Sequence, residues 1–324
     1  MTRPTFHPAR STRPTLGSTV SLLSITTLAA CGGGEVPLPK LAPVPAAEQA
    51  ALAARGEYIV RNVSACGHCH AADRRNPDGP LSGGIAFSNW RLGTVRAANL
   101  TPDAATGLGS WSLPGIVRAI RNGNDRHGGL LAPVMPYQWL SGMSDADALA
   151  VATYLKSLPP VRNEVKNRPN LVFRMAKVLF LHPAPTTAGT APPRGPTAEY
   201  GRYLADGPGL CADCHTPRGG VQQAHDRARL YAGDATPPKA FPANPANLTP
   251  DVETGIGRWS EDDFLRTLRT GVNPRGDSLH AFMPWRQVRR MADDDLRAIY
   301  RYLRTLPPIR NDVPHRHGAG HTSH

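Results

Sequence analysis

Cys66-Gly-His-Cys69-His70 sets two thiols three positions apart, with an imidazole directly after the second. The pattern returns 145 residues later as Cys211-Ala-Asp-Cys214-His215. Two sulfurs at that spacing reach two vinyl groups on one side of a porphyrin, and the adjacent His turns its imidazole toward the iron. This is the attachment signature of covalently held haem. Cys66, Cys69 and His70 form one expected site, and Cys211, Cys214 and His215 form the other. A structural zinc site needs four protein ligands, and neither copy offers two further Cys or His at matching positions. A thioredoxin-like redox pair belongs beside a βαβ pattern, which is not read here.

A second axial ligand must come from further along each copy. Met135 and Met283 precede Pro136 and Pro284 in loops, while Met143 and Met291 stand just before the last helix of each copy. Proline stiffens a loop and removes a backbone donor, so Met135 and Met283 are the expected iron ligands. A packing role is expected for Met143 and Met291. His/Met ligation raises the reduction potential and leaves no open position for a substrate.

Positioning these groups falls to a unit written twice. Asn99-Leu-Thr-Pro-Asp103 and Thr106-Gly-Leu-Gly-Ser-Trp111-Ser112 recur as Asn247-Leu-Thr-Pro-Asp251 and Thr254-Gly-Ile-Gly-Arg-Trp259-Ser260, displaced by 148 residues. Met135-Pro136 and Leu158-Pro-Pro160 recur at the same displacement. Each copy reads as three helices. One leads into the Cys motif, around residues 46–62 and 197–206. One starts at an N-cap Ser (Ser112, Ser260) and stops at Gly123 or Gly271. One ends at the Pro pair after an apolar stripe: Ala148, Val151, Leu155, Leu158, and Leu296, Ile299, Leu303, Leu306. No stretch alternates as a strand, so the expected class is all-α.

The boundaries follow from composition. Arg3, Arg10 and Arg13 precede a short apolar run, giving residues 1–30 the build of a secretory signal peptide. Leu28-Ala-Ala-Cys31-Gly32 resembles a bacterial lipobox, which makes Cys31 the expected lipidated residue, with ordinary cleavage and a stray thiol as the alternative. Residues 31–45 read as a tether, 46–165 as domain 1, 166–196 as a linker, 197–313 as domain 2, and 314–324 as a His-rich tail. The tail is expected to be a disordered end and not a metal site. The apolar linker segment 171–181 is expected to tuck between the domains. Removal of the signal lowers the formal charge from +12 to +9. Export argues against nucleic acid, and the remaining basicity suits an acidic partner or anionic head groups. His68 is expected to face outward. Trp111 and Trp259, and Asn99, Thr101, Asn247 and Thr249, are open between haem contacts and plain core or turn roles.

The order of these motifs resembles class I cytochrome c domains. It resembles in particular the multihaem cytochrome c subunits of bacterial membrane-bound alcohol and gluconate dehydrogenases, over about residues 50–313. That resemblance implies two tandem cytochrome c-like domains carrying two covalently bound haem c groups. It implies a dehydrogenase as electron donor, and the quinone pool, an oxidase or another cytochrome as acceptor. The expected place is the periplasmic side of a bacterial envelope, held to the membrane by lipid. The chain departs from that family in having two haem motifs where three are common. The rival class is a dihaem redox enzyme of peroxidase or thiosulfate dehydrogenase type. Met-Pro in both copies argues against an open iron, and no sulfur is left over for an axial Cys.

Overall fold

The computed structural model describes residues 36–41, 44–185, 189–219, 224–237 and 242–314. The expected signal segment, Cys31 and the tail histidines lie outside the described residues. The first repeat opens with α1 (Ala46–Tyr58), a π-helical turn (Ile59–Val63) and α2 (Gly67–His70). Then come α3 (Leu113–Asn122), α4 (Tyr137–Leu140) and α5 (Asp145–Ser157). After α6 (Leu171–Leu179), the second repeat runs α7 (Ala198–Asp206), α8 (Cys211–His215), α9 (Glu261–Thr270), α10 (Trp285–Val288) and α11 (Asp293–Leu303). The fold is mostly helical. The three helices expected per copy are present, joined among the described residues by short single-turn helices.

The local signals act where expected. Ser112 Oγ accepts a hydrogen bond from Gly115 N, and Ser260 forms a full capping box with Asp263. Gly123 and Gly271 close α3 and α9 in the left-handed region, at φ 78° and 76°, which glycine adopts without Cβ crowding. Gly56 of α1 lies against the Ala150 carbonyl of α5, where a Cβ would stand 2.0 Å from the oxygen. Gly201 of α7 meets Ala298 of α11 in the same way, at 1.8 Å. Each repeat is thus closed by a first-to-last helix crossing that only glycine permits. Met143 and Met291 are buried in the two hydrophobic cores, the packing role expected of them.

The reading without strands is corrected at two loops. β1 (Ala86–Asn89) and β2 (Gly93–Arg96) form an antiparallel hairpin, and β3 (Arg168–Pro169) adds to β2. β4 (Arg218–Gly219) pairs with β5 (Ala224–His225). Strands of two to four residues are too short to display a period-two pattern. All but β3 occupy the stretch between the Cys motif and the Asn-Leu-Thr-Pro-Asp segment, where the two copies differ in length.

The expectation for the linker is also corrected. Of α6 only Phe173 is buried, while Leu171, Val172, Met175, Val178 and Leu179, with Phe180 beyond its end, are exposed. The repeats leave no room for α6 between them because they pack directly on each other. Tyr58 donates to Asp295 at 2.6 Å, and the equivalent Tyr203 donates to Asp147 at 2.6 Å. Ala292 N and Ser144 N donate to those same two hydroxyls. The contact is therefore a near two-fold match of one repeat to the other. Arg290 adds an ion pair to Asp78 at 2.7 Å, and Val63 and Trp139 of the first repeat join the hydrophobic core of the second. Among the described residues, no helix is long and apolar enough to cross a membrane.

Candidate functional site

Each Cys motif is a single helical turn entered through a left-handed residue. Ala65 (φ 46°) precedes Cys66, and Leu210 (φ 56°) precedes Cys211. Non-glycine residues in this region are uncommon and cluster at functional sites. Here they swing the chain out of the preceding helical segment so that a fresh turn can start at the first cysteine. Gly67 is required in the first motif, since a Cβ there would stand 1.8 Å from the Pro77 carbonyl oxygen. Its counterpart Ala212 carries a buried methyl group at the same place.

The two histidines are oriented alike. His70 Nδ1 lies 2.9 Å from the Ala98 carbonyl oxygen, and His215 Nδ1 lies 2.7 Å from that of Ala246. A carbonyl only accepts, so Nδ1 carries the proton and Nε2 keeps the lone pair that binds metal. Burial lowers the pKa of both rings below that of a free imidazole, although the carbonyl contact works the other way. Both rings are therefore neutral at ordinary pH. Ala98 and Ala246 directly precede Asn99 and Asn247, which explains why the Asn-Leu-Thr-Pro-Asp segment accompanies the Cys motif in both copies. The ring and its orienting carbonyl come from opposite ends of the variable loop.

The four described cysteines are unbonded. Burial pushes the thiols of Cys66, Cys211 and Cys214 up to about 12 and that of Cys69 up to about 11. They are thus protonated, and overall addition of each S–H across a haem vinyl group would give a thioether with no net redox change. The two motifs lie near each other, close enough for Cys69 to raise the Cys214 thiol and for Asp213 to raise that of Cys69. Cys66, Trp111 and Met135 all pack on the first core, and Cys211, Trp259 and Met283 on the second. Each Cys motif thus shares a core with its Met-Pro segment. Free thiols paired with a neutral, pre-oriented His suit a covalently attached haem, with Cys66 and Cys69, and Cys211 and Cys214, as the attachment pairs. When bound, such a group supplies one-electron redox chemistry.

The polar residues left open by sequence build the turn. Asn99 Nδ2 donates to Val161 O and Thr106 Oγ1, and Thr101 Oγ1 donates to Asn99 Oδ1. Asn247, Thr249, Thr254 and Ile309 repeat the arrangement. Sequence reasoning passed over Asn163 and Asn311, whose side-chain amides hold Ser82 O and Ala232 O in the loop after each motif. It also passed over Lys156 and Arg304, which bind Gly109 O and Gly257 O. Both pairs sit 148 residues apart, so the repeat offset was the signal that could have found them. His68 is not outward-facing as expected. It packs edge-on against Phe282 of the other repeat, with ring centroids 5.5 Å apart.

No family model matches the chain. It is 34% identical over 273 residues to the gluconate 2-dehydrogenase cytochrome c subunit of Pantoea cypripedii, covering 79% of this chain and 60% of that one. It is 32% identical over 277 residues to the alcohol dehydrogenase (quinone) cytochrome c subunit of Gluconobacter oxydans, covering 80% and 55%. The chain therefore spans somewhat more than half the length of these two relatives. It is 29% identical over 266 residues to the diheme cytochrome c-type of Cereibacter sphaeroides, covering 79% and 86%. All three relatives are c-type cytochromes by name. The two Cys-x-x-Cys-His turns, each with its histidine set by a backbone carbonyl, thus belong to a homologue of the cytochrome c subunits of bacterial gluconate and alcohol dehydrogenases and of a dihaem c-type cytochrome.

Proposed function

We propose that this chain is an exported, lipid-anchored dihaem cytochrome c that carries electrons from a partner dehydrogenase toward the respiratory chain. The observation that carries this reading is the doubled His geometry: two neutral imidazoles, each with Nδ1 held by a carbonyl and each following a pair of free thiols. The two repeats act as two class I cytochrome c-like domains, 46–165 and 197–313. His70 and Met135 ligate one iron, and His215 and Met283 ligate the other. Saturated ligation suits electron transfer over substrate chemistry, and the nearness of Cys69 and Cys214 supports transfer between the two centres. The names of the relatives support a dehydrogenase as donor. Quinone, an oxidase or another cytochrome accepts the electron, and the acylated Cys31 holds the protein on the periplasmic side of the membrane.

The test is the holoprotein purified from native membranes. Two haems per chain, a low-spin ferric spectrum with a Met–iron charge-transfer band, and reduction by a co-purifying dehydrogenase given its substrate are expected. A high-spin centre without the Met band would overturn the assignment in favour of a haem enzyme.

A further inference from the structure

α6 is amphipathic the wrong way round for a helix of a free-standing protein. Val178, Leu171, Met175, Leu179 and Val172 occupy about 120° of its circumference, and all five are exposed, Leu171 by 70% and Val178 by 61%. The inward side holds buried Phe173 and half-buried Lys177. A soluble helix places its apolar stripe toward the core, so this one is built to be covered.

The β1–β2 hairpin extends the same surface. β3 joins β2 directly before α6, and the Asn170 side-chain amide at the helix N-cap donates to Trp90 O at the hairpin tip. Trp90 is 71% exposed, with the Arg91 guanidinium 5.0 Å from its ring centroid. Charge in both segments has one sign. No Asp or Glu occurs between Asp78 and Asp103 or between Glu164 and Glu199, while these stretches carry Arg91, Arg96, Lys166, Arg168, Arg174 and Lys177.

From this we infer that α6 and the Trp90 hairpin form a platform that lies on an anionic lipid surface, with the apolar stripe among the acyl chains and the cations at the head groups. An exposed Trp, an apolar helical stripe and flanking cations are the composition that binds in the membrane interface. Nine residues extend about 13 Å at 1.5 Å per residue, against ~30 Å of hydrocarbon, so α6 rests on the surface and does not span it. The inference does not depend on the acyl group at Cys31 or on the electron-transfer reading.

The experiment uses holoprotein carrying Cys31→Ser behind an exchanged leader, sedimented with vesicles of phosphatidylcholine alone or with one-third phosphatidylglycerol. Binding to the anionic vesicles, weakened by salt, is expected. Leu171→Glu with Leu179→Glu should weaken it by about tenfold or more, with haem content unchanged because both positions face outward. Leu171→Phe with Leu179→Phe should retain it. Equal binding of the Glu variant, or no preference for anionic vesicles, overturns the inference. So does absence of vesicle binding together with loss of dehydrogenase co-purification in the Glu variant, which would make the surface a protein-docking site.

Discussion

At the residue scale, what separates the two motifs is the space around the residue after each first cysteine. Gly67 abuts the Pro77 carbonyl, whereas the equivalent Ala212 already carries a buried methyl group. Gly67→Val should therefore halve the haem bound per chain by blocking the first motif alone, as measured by haem-to-protein ratio. Ala212→Gly should leave two haems and cost about 1 kcal/mol or less from added backbone freedom. Met135→Ala and Met283→Ala should each remove about half of the Met–iron band while both haems stay attached. His68, exchanged for Ala, should leave attachment intact, because it packs on Phe282 and is not expected to ligate iron.

Helix crossings govern the element scale. The α1–α5 and α7–α11 contacts bring a glycine onto a backbone carbonyl, and a carbonyl cannot move aside as a flexible side chain can. Gly56→Val or Gly201→Val should destabilise by roughly 1–3 kcal/mol or more through overpacking, seen as a lowered thermal midpoint of the holoprotein. Loss of the capping box in Ser260→Ala should cost about 1 kcal/mol, a smaller drop by the same measurement. The difference in size separates a packing constraint from a helix-end constraint.

On the scale of the whole molecule, the two repeats are joined by a matched pair of Tyr–Asp contacts. Burial alone would raise the Asp147 carboxyl. The Arg55 hydrogen bonds and charge, together with Tyr203, outweigh that and hold it below its ordinary value. A depressed native pKa means stability is fully present above the unfolded value of about 3.9 and is lost as pH falls through the native value. Acid unfolding of the holoprotein should therefore begin as pH drops below about 4–5, and Asp147→Asn should flatten that part of the stability curve. Tyr58→Phe with Tyr203→Phe removes both hydroxyl–carboxylate bonds, at a cost of about 1.5–3 kcal/mol each, and should loosen the repeats without changing haem content.

The doubled Cys-x-x-Cys-His turn was legible in sequence because its spacing is strictly local. Two thiols and a His on one helical turn are adjacent by chain order, and the duplication, the helix stops at Gly123 and Gly271 and the Ser260 cap are equally short-range. The short strands were not legible, since two to four residues carry no period. Nor was the carbonyl behind each His, since Ala98 and Ala246 contribute only backbone and stand 28 and 31 residues from their partners. The outward stripe of α6 escaped for a related reason. Periodicity reveals that a helix has an apolar face, but where that face points depends on what already fills the space beside it. Here the direct contact of the two repeats fills it, so only the tertiary structure could turn a linker into an exposed surface.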